Sequence, residues 1–252
     1  MDNPVYIAIF GDLHGHIALA IELAQLWERT NDRKLHTIYQ VGDFGVWPKR
    51  KEVDRATERI VKTSPERMIF NRIINPKRRR SNLPDNLAEI VFIHGNHDNI
   101  TFLDGLDRIK IPIPIDTNGK LKYLPDCQVY NNSLRVGALS KRNKDALKEL
   151  RKIDVLLTHI PPYGLAREKR GSKKTRKLIE EIQPIYTFCG HYHLPGRELN
   201  PIYRSRVFLL NTLDYNRRNR LKPGAMAILT WYSRRKNDCE IVDQNWYNDH
   251  RG

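Results

Sequence analysis

The chain has 252 residues, 40% of them hydrophobic, and carries 44 Lys and Arg against 29 Asp and Glu, a formal net charge of +15. That length bounds it to one large domain, or one domain with insertions, with enough apolar content for a substantial core. No run of about 18 apolar residues is present, which excludes a transmembrane helix, and three scattered cysteines exclude a disulfide framework or a zinc ribbon.

Val5–Phe10 is a continuous apolar run ended by Gly11 and predicts a buried strand. It is too short for a signal peptide and has no basic region before it. Residues 17–29 carry Ile17, Ile21, Leu23, Ala24 and Leu26 as a helical stripe. A second strand is expected over residues 37–41, ended by Gly42, and a third over 90–93, ended by Gly95. Residues 47–87 between them read as a basic insertion. Further strands are expected over 155–157, 185–189, 207–210 and 225–231, and helices over 144–151 and 173–182. Strands alternating with helices imply an α/β sandwich. A single domain over residues 1–236 with a polar tail over 237–252 is the expected division. The cysteine usage fits a reducing, cytoplasmic setting.

The informative residues follow those strands directly. They are Gly11-Asp12-Leu13-His14-Gly15, Gly42-Asp43, Gly95-Asn96-His97-Asp98, Thr158-His159 and Gly190-His191-Tyr192-His193. Ligands of open α/β folds bind beyond the carboxyl ends of strands, and glycine there lets side chains crowd together. Apart from Asp98, two carboxylates, one amide oxygen and five imidazoles are collected. Oxygen and nitrogen donors without thiolates suit Mn, Fe or Zn rather than Mg or Ca alone. They are too many for one tetrahedral zinc and fit two metals sharing a carboxylate.

This ordered series resembles the calcineurin-like metallophosphoesterases, as a pattern running from Val5 to His193. The resemblance implies a four-layer α/β/β/α sandwich. It implies one metal on Asp12, His14, Asp43 and His193, and a second on Asp43, Asn96, His159 and His191, with Asp43 bridging. It further implies that His97 faces the scissile phosphate and that Asp98 orients His97. Manganese is the expected metal, with iron, zinc or nickel as alternatives. A water between two cations has a depressed pKa and is a nucleophile near neutral pH. His97 would then protonate the leaving oxygen.

Each residue has a plainer reading in isolation: Asp12 as a helix N-cap, Asp43 and Asn96 as turn formers, His159 as a strand end before Pro161-Pro162. The ordered pattern favours the ligand role for all of them. His16 reads equally as a substrate contact or a packed residue, and His94 as a packed strand end.

Serine/threonine protein phosphatases of this family follow the second motif with an Asp-Arg pair. Here Phe44-Gly45-Val46-Trp47 follows instead, which weighs against that branch. The chain also ends soon after the sandwich, leaving no room for the additional domain of the large family nucleases. Residues 47–82 carry 12 basic and 4 acidic side chains, and residues 167–177 carry 7 and 1. Both segments follow site motifs, so a cationic rim is expected, with Lys77, Arg78, Arg79 and Arg80 in an exposed loop. Trp47, Phe70 and Tyr163 are candidates for stacking on bases. The expectation is a phosphomono- or phosphodiesterase acting on an anionic substrate, single-stranded nucleic acid or a nucleotide, without a membrane partner. A protein or small-metabolite phosphatase and a non-catalytic binding module are the alternatives.

Overall fold

The structure is a computed structural model that describes residues 3–49, 53, 55–74, 83–139, 149–242 and 246. Its layering follows from alternation within the first strand. In β1 (Val5–Phe10), Ile7 and Ile9 face one core while Ala8 and Phe10 face another. Successive side chains of a strand point to opposite faces, so a strand apolar at every position must be covered on both.

The parallel neighbours repeat this. β2 (Leu35–Gln40) pairs with β1, and β3 (Glu89–Phe92) pairs with β2. β4 (Ile113–Pro114) and the parallel β5 (Leu121–Tyr123) close one edge. The other edge is antiparallel: β12 (Met226–Ser233) lies on β1, and β13 (Lys236–Ile241) lies on β12. The second sheet contains β6 (Val129–Asn132), β7 (Leu134–Leu139), β8 (Val155–Thr158), β9 (Tyr186–Cys189), β10 (Arg197–Ile202) and β11 (Ser205–Leu209), in the order β10-β11-β9-β8-β7-β6.

Between the sheets lies a core that includes Ile7, Ile9, Tyr39, Val91, Leu157, Phe188 and Phe208. Outside the first sheet, α1 (Ile17–Asn31) buries Ile17, Ala20, Ile21, Leu23, Ala24 and Trp27. Outside the second, α4 (Lys173–Ile182) buries Leu178 and Ile179. Ser172 caps α4 by accepting from the Thr175 amide at 3.0 Å. This is the expected α/β/β/α sandwich.

Three expectations about organisation change. The segment after residue 236 does not begin as a tail, because Lys236–Ile241 is an edge strand with Cys239 buried. Its polar alternation is what an edge strand with one solvated face requires. The insertion is not a solvated excursion over its described part. Its α2 (Arg55–Thr63), the 3-10 turn Pro65–Met68 and α3 (Ile69–Ile73) dock on the first sheet, with Phe70 and Ile73 in the core. Trp47 and Phe70 are fully buried, which removes them as stacking surfaces for a substrate. The cluster Lys77 to Arg80 and most of the helix expected over 144–151 lie outside the described residues.

Candidate metal centre and active site

The loops after β1, β2, β3, β8 and β9 meet at one rim of the sandwich. Backbone bonds hold the first two together. The amides of Leu13 and His14 both donate to the Asp43 carbonyl, at 3.0 and 2.8 Å, and Gly15 donates to the Phe44 carbonyl at 3.0 Å. Gln40, fully buried, ties the same loops by donating to the carbonyls of Gly11 and Gly42 and accepting from the Gly42 amide. On the other side the Gly190 amide donates to the His159 carbonyl at 3.0 Å.

Two glycines of the motifs are demanded by close approach. A Cβ on Gly95 would stand 2.1 Å from Asp43 Oδ1, and one on Gly190 would stand 2.1 Å from Asp12 Oδ1. The missing side chains are the space the carboxylates occupy.

Donor atoms then converge in two groups. In the first, His193 Nε2 lies 3.0 Å from Asp12 Oδ2 and 3.1 Å from His14 Nε2. In the second, His159 Nε2 lies 2.9 Å from Asn96 Oδ1, 3.2 Å from His191 Nδ1 and 3.4 Å from Asp43 Oδ2. Asp43 Oδ2 is also 3.8 Å from His14 Nε2, so one oxygen faces both groups. Its Oδ1 accepts from the His97 amide at 2.8 Å. Asp12 Oδ1 is 3.7 Å from His159, but at Nδ1, which also meets the Val41 carbonyl at 3.2 Å. A backbone partner at Nδ1 leaves Nε2 as the donor toward a cation. Crowded nitrogens with convergent lone pairs and two buried carboxylates fit a pair of divalent cations.

A family model for calcineurin-like phosphoesterases matches residues 5–195. The chain belongs to that family. It is a metal-dependent hydrolase of phosphoester bonds, and the family implies a dinuclear divalent metal site. No curated protein matches the sequence significantly. Among solved structures, GAP50, the anchor in the inner membrane complex of Plasmodium, is similar with a TM-score of 0.54 and 13% identity, over 96% of this chain and 85% of that one. A novel phosphatase from Mycoplasma pneumoniae is similar with a TM-score of 0.47 and 12% identity, over 99% of this chain and 98% of that one. At 13% identity the likeness to GAP50 is one of fold.

The electrostatics of this phosphoesterase's site are those of a cation cradle. Burial works against the charged form of His159, yet the Asp43 and Asp12 carboxylates outweigh it and push the imidazole up to about 9. Burial likewise works against an ionised Asp43, but His159, His14 and the His97 amide hold it well below the usual carboxylate range. His14 is lowered to about 4 by burial, against the pull of Asp43 and Asp12. His191 is lowered by burial and by His159.

One expected role changes in the phosphoesterase. The Asp98 carboxylate does not orient His97. It accepts from the amides of Phe44, Gly45, Val46 and Gly95 at 2.8–3.1 Å and so staples the second loop to the third. Burial and the Asp43 charge raise its pKa against those bonds. The group at His97 Nδ1 is instead the Thr57 hydroxyl, at 3.3 Å. His16 turns to Asp214, 3.4 Å away, where Arg67 at 2.9 Å and Lys222 at 3.5 Å also converge. His94 packs as expected, with Nδ1 3.0 Å from the Tyr123 hydroxyl. Thr57, Gln40 and Asp214 had no motif to announce them. Arg167 stands 5.3 Å over the ring of Tyr192, and Lys173 stands 5.2 Å over that of Tyr163.

Proposed function

We propose that this phosphoesterase hydrolyses mono- or diester linkages at the end of a single-stranded nucleic acid or on a nucleotide. In this reading Asp12, His14, Asp43 and His193 hold one divalent ion, manganese by preference. Asp43, Asn96, His159 and His191 hold the other. Two such ions supply Lewis acidity toward phosphoryl oxygens and lower the pKa of a water between them. The chain supplies the rest. Asp43 would serve both ion positions, and His97 would deliver a proton to the leaving oxygen. The His14 and His97 rings lie 5.5 Å apart, which supports His97 working beside the first ion position.

The observation that carries the substrate class is the pair of cation–aromatic stacks. Tyr192 sits in the chain between His191 and His193, and Arg167 covers its ring. Tyr163 follows His159 by four residues and bears Lys173. The basic segment 167–177 is thereby anchored beside the second group of donors. A guanidinium and an ammonium held over aromatic faces suit a phosphate backbone with adjoining bases.

Arg167→Gln/Lys173→Gln tests this with a single-stranded oligonucleotide and a small chromogenic phosphoester, in manganese. The expected result is a KM for the oligonucleotide raised about tenfold, with its salt slope reduced by about 1–2. Turnover of the small ester stays unchanged. An unaltered KM and salt slope, or equal losses on both substrates, rejects the nucleic-acid reading and leaves the phosphoesterase.

A further inference from the structure

Two of the described residues between β2 and β3 touch His97. The Trp47 indole Nε1 donates to the His97 carbonyl at 2.9 Å, and the Thr57 hydroxyl, on α2, lies 3.3 Å from His97 Nδ1. Both side chains are buried. The adjacent Asp98, the one carboxylate next to His97 in the chain, has both oxygens on backbone amides of the second and third loops.

We infer that this insertion is the positioning element for His97, with Trp47 fixing its backbone and the Thr57 hydroxyl fixing its ring. The inference rests on the proposed role of His97 as proton donor. A hydroxyl can donate to a bare Nδ1 or accept from Nδ1–H, and in this inference it accepts, as it can whether the imidazole is charged or neutral. With Nδ1–H held there, the proton delivered is the one on Nε2. It passes to the leaving oxygen as the P–O bond breaks, the bonding electron pair stays on that oxygen, and a neutral ring with Nδ1–H remains. A hydroxyl differs from a carboxylate in adding no negative charge beside a dianionic phosphoryl group. A carboxylate there would stabilise the imidazolium and hold its proton more firmly. The insertion, docked through Phe70 and Ile73, makes the position of Thr57 dependent on the core of the first sheet.

Thr57→Val keeps shape and removes the hydroxyl, and Thr57→Ser restores it. Both are assayed, with His97→Asn and the double variant, on an alkyl phosphoester and a nitrophenyl phosphoester. Only the alkyl leaving group needs a proton. The expected result is a kcat on the alkyl ester lowered about tenfold by Thr57→Val, part of the range typical of a general acid. The nitrophenyl ester stays within about twofold, Thr57→Ser stays near the parent, and Thr57→Val adds nothing to His97→Asn. In the metal-free protein, ring nitrogen NMR shifts are expected to show Nδ1 protonated in the parent and in Thr57→Ser, and that preference weakened in Thr57→Val. Equal losses on both esters, additivity with His97→Asn, or an unchanged ring tautomer overturns the inference. If His97→Asn itself lowers both esters equally, the acid role of His97 fails and the inference falls with it. If His97→Asn is selective and Thr57→Val is silent, only the inference fails.

Discussion

His14, Asp43, His191 and His193 stand on backbone with φ of 44°, 54°, 73° and 49°. A left-handed conformation costs a non-glycine residue about 1–2 kcal/mol, and its concentration at these side chains is the strain expected of a functional site. The surrounding bonds hold it in place: the His14 amide on the Asp43 carbonyl, and the His191 amide on the Asp12 carboxylate at 3.0 and 3.1 Å. One shell outward, Asp214 is held well below the usual carboxylate range. Burial opposes this, but His16, Arg67 and Lys222 prevail. A depressed carboxylate stabilises the fold above its unfolded pKa of about 4, and that contribution is lost as pH falls through the folded value. Asp214→Asn is therefore expected to cost about 2 kcal/mol near pH 7, discounted for partial exposure. The gap to the parent should begin to narrow below about pH 4 and close as pH falls through the folded value, as read by denaturant unfolding across pH. A gap that persists unchanged in acid contradicts the assignment. The converging ligand residues were legible because each follows an apolar run that ends in glycine or threonine. Thr57, Gln40 and Asp214 were not, since each is a common residue type whose role exists only through a contact distant in sequence.

The long apolar strands and α1 were readable because burial on both faces, or along one stripe, leaves a periodic record. Strands β4 to β7 were not: β4 to β6 hold too few apolar residues, and Arg135 and Gly137 interrupt the run in β7. β10 leaves no such record, because Pro201 and its exposed positions mark an edge. The insertion misled for a related reason. Its basic residues suggest a solvated loop, while Phe70 and Ile73, widely spaced among charges, dock it. Phe70 meets Phe44 and Phe102 edge-on, at centroid distances of 6.4 and 5.9 Å. Truncation of such a buried ring costs about 3–5 kcal/mol. Phe70→Ala is expected to lower thermal stability accordingly and to make the Trp47–Thr57 segment more susceptible to limited proteolysis. A melting temperature like the parent's would show that the insertion docks by other contacts.

At the scale of the molecule, two sheets bring five loops to one rim, and the net charge is segregated away from most of the frame. The 47–82 and 167–177 segments carry +8 and +6 of the +15. The rest of the chain carries the remaining +1 and is close to neutral. No helix among the described residues is long and apolar enough to cross a membrane. The central claim is that Asp43 presents one oxygen to two cations. Anomalous scattering from crystals soaked in manganese tests it most directly. Two peaks are expected, one among Asp12, His14 and His193 and one among Asn96, His159 and His191, with the Asp43 carboxylate between them. A single peak, or two peaks that both lie away from Asp43, would contradict it.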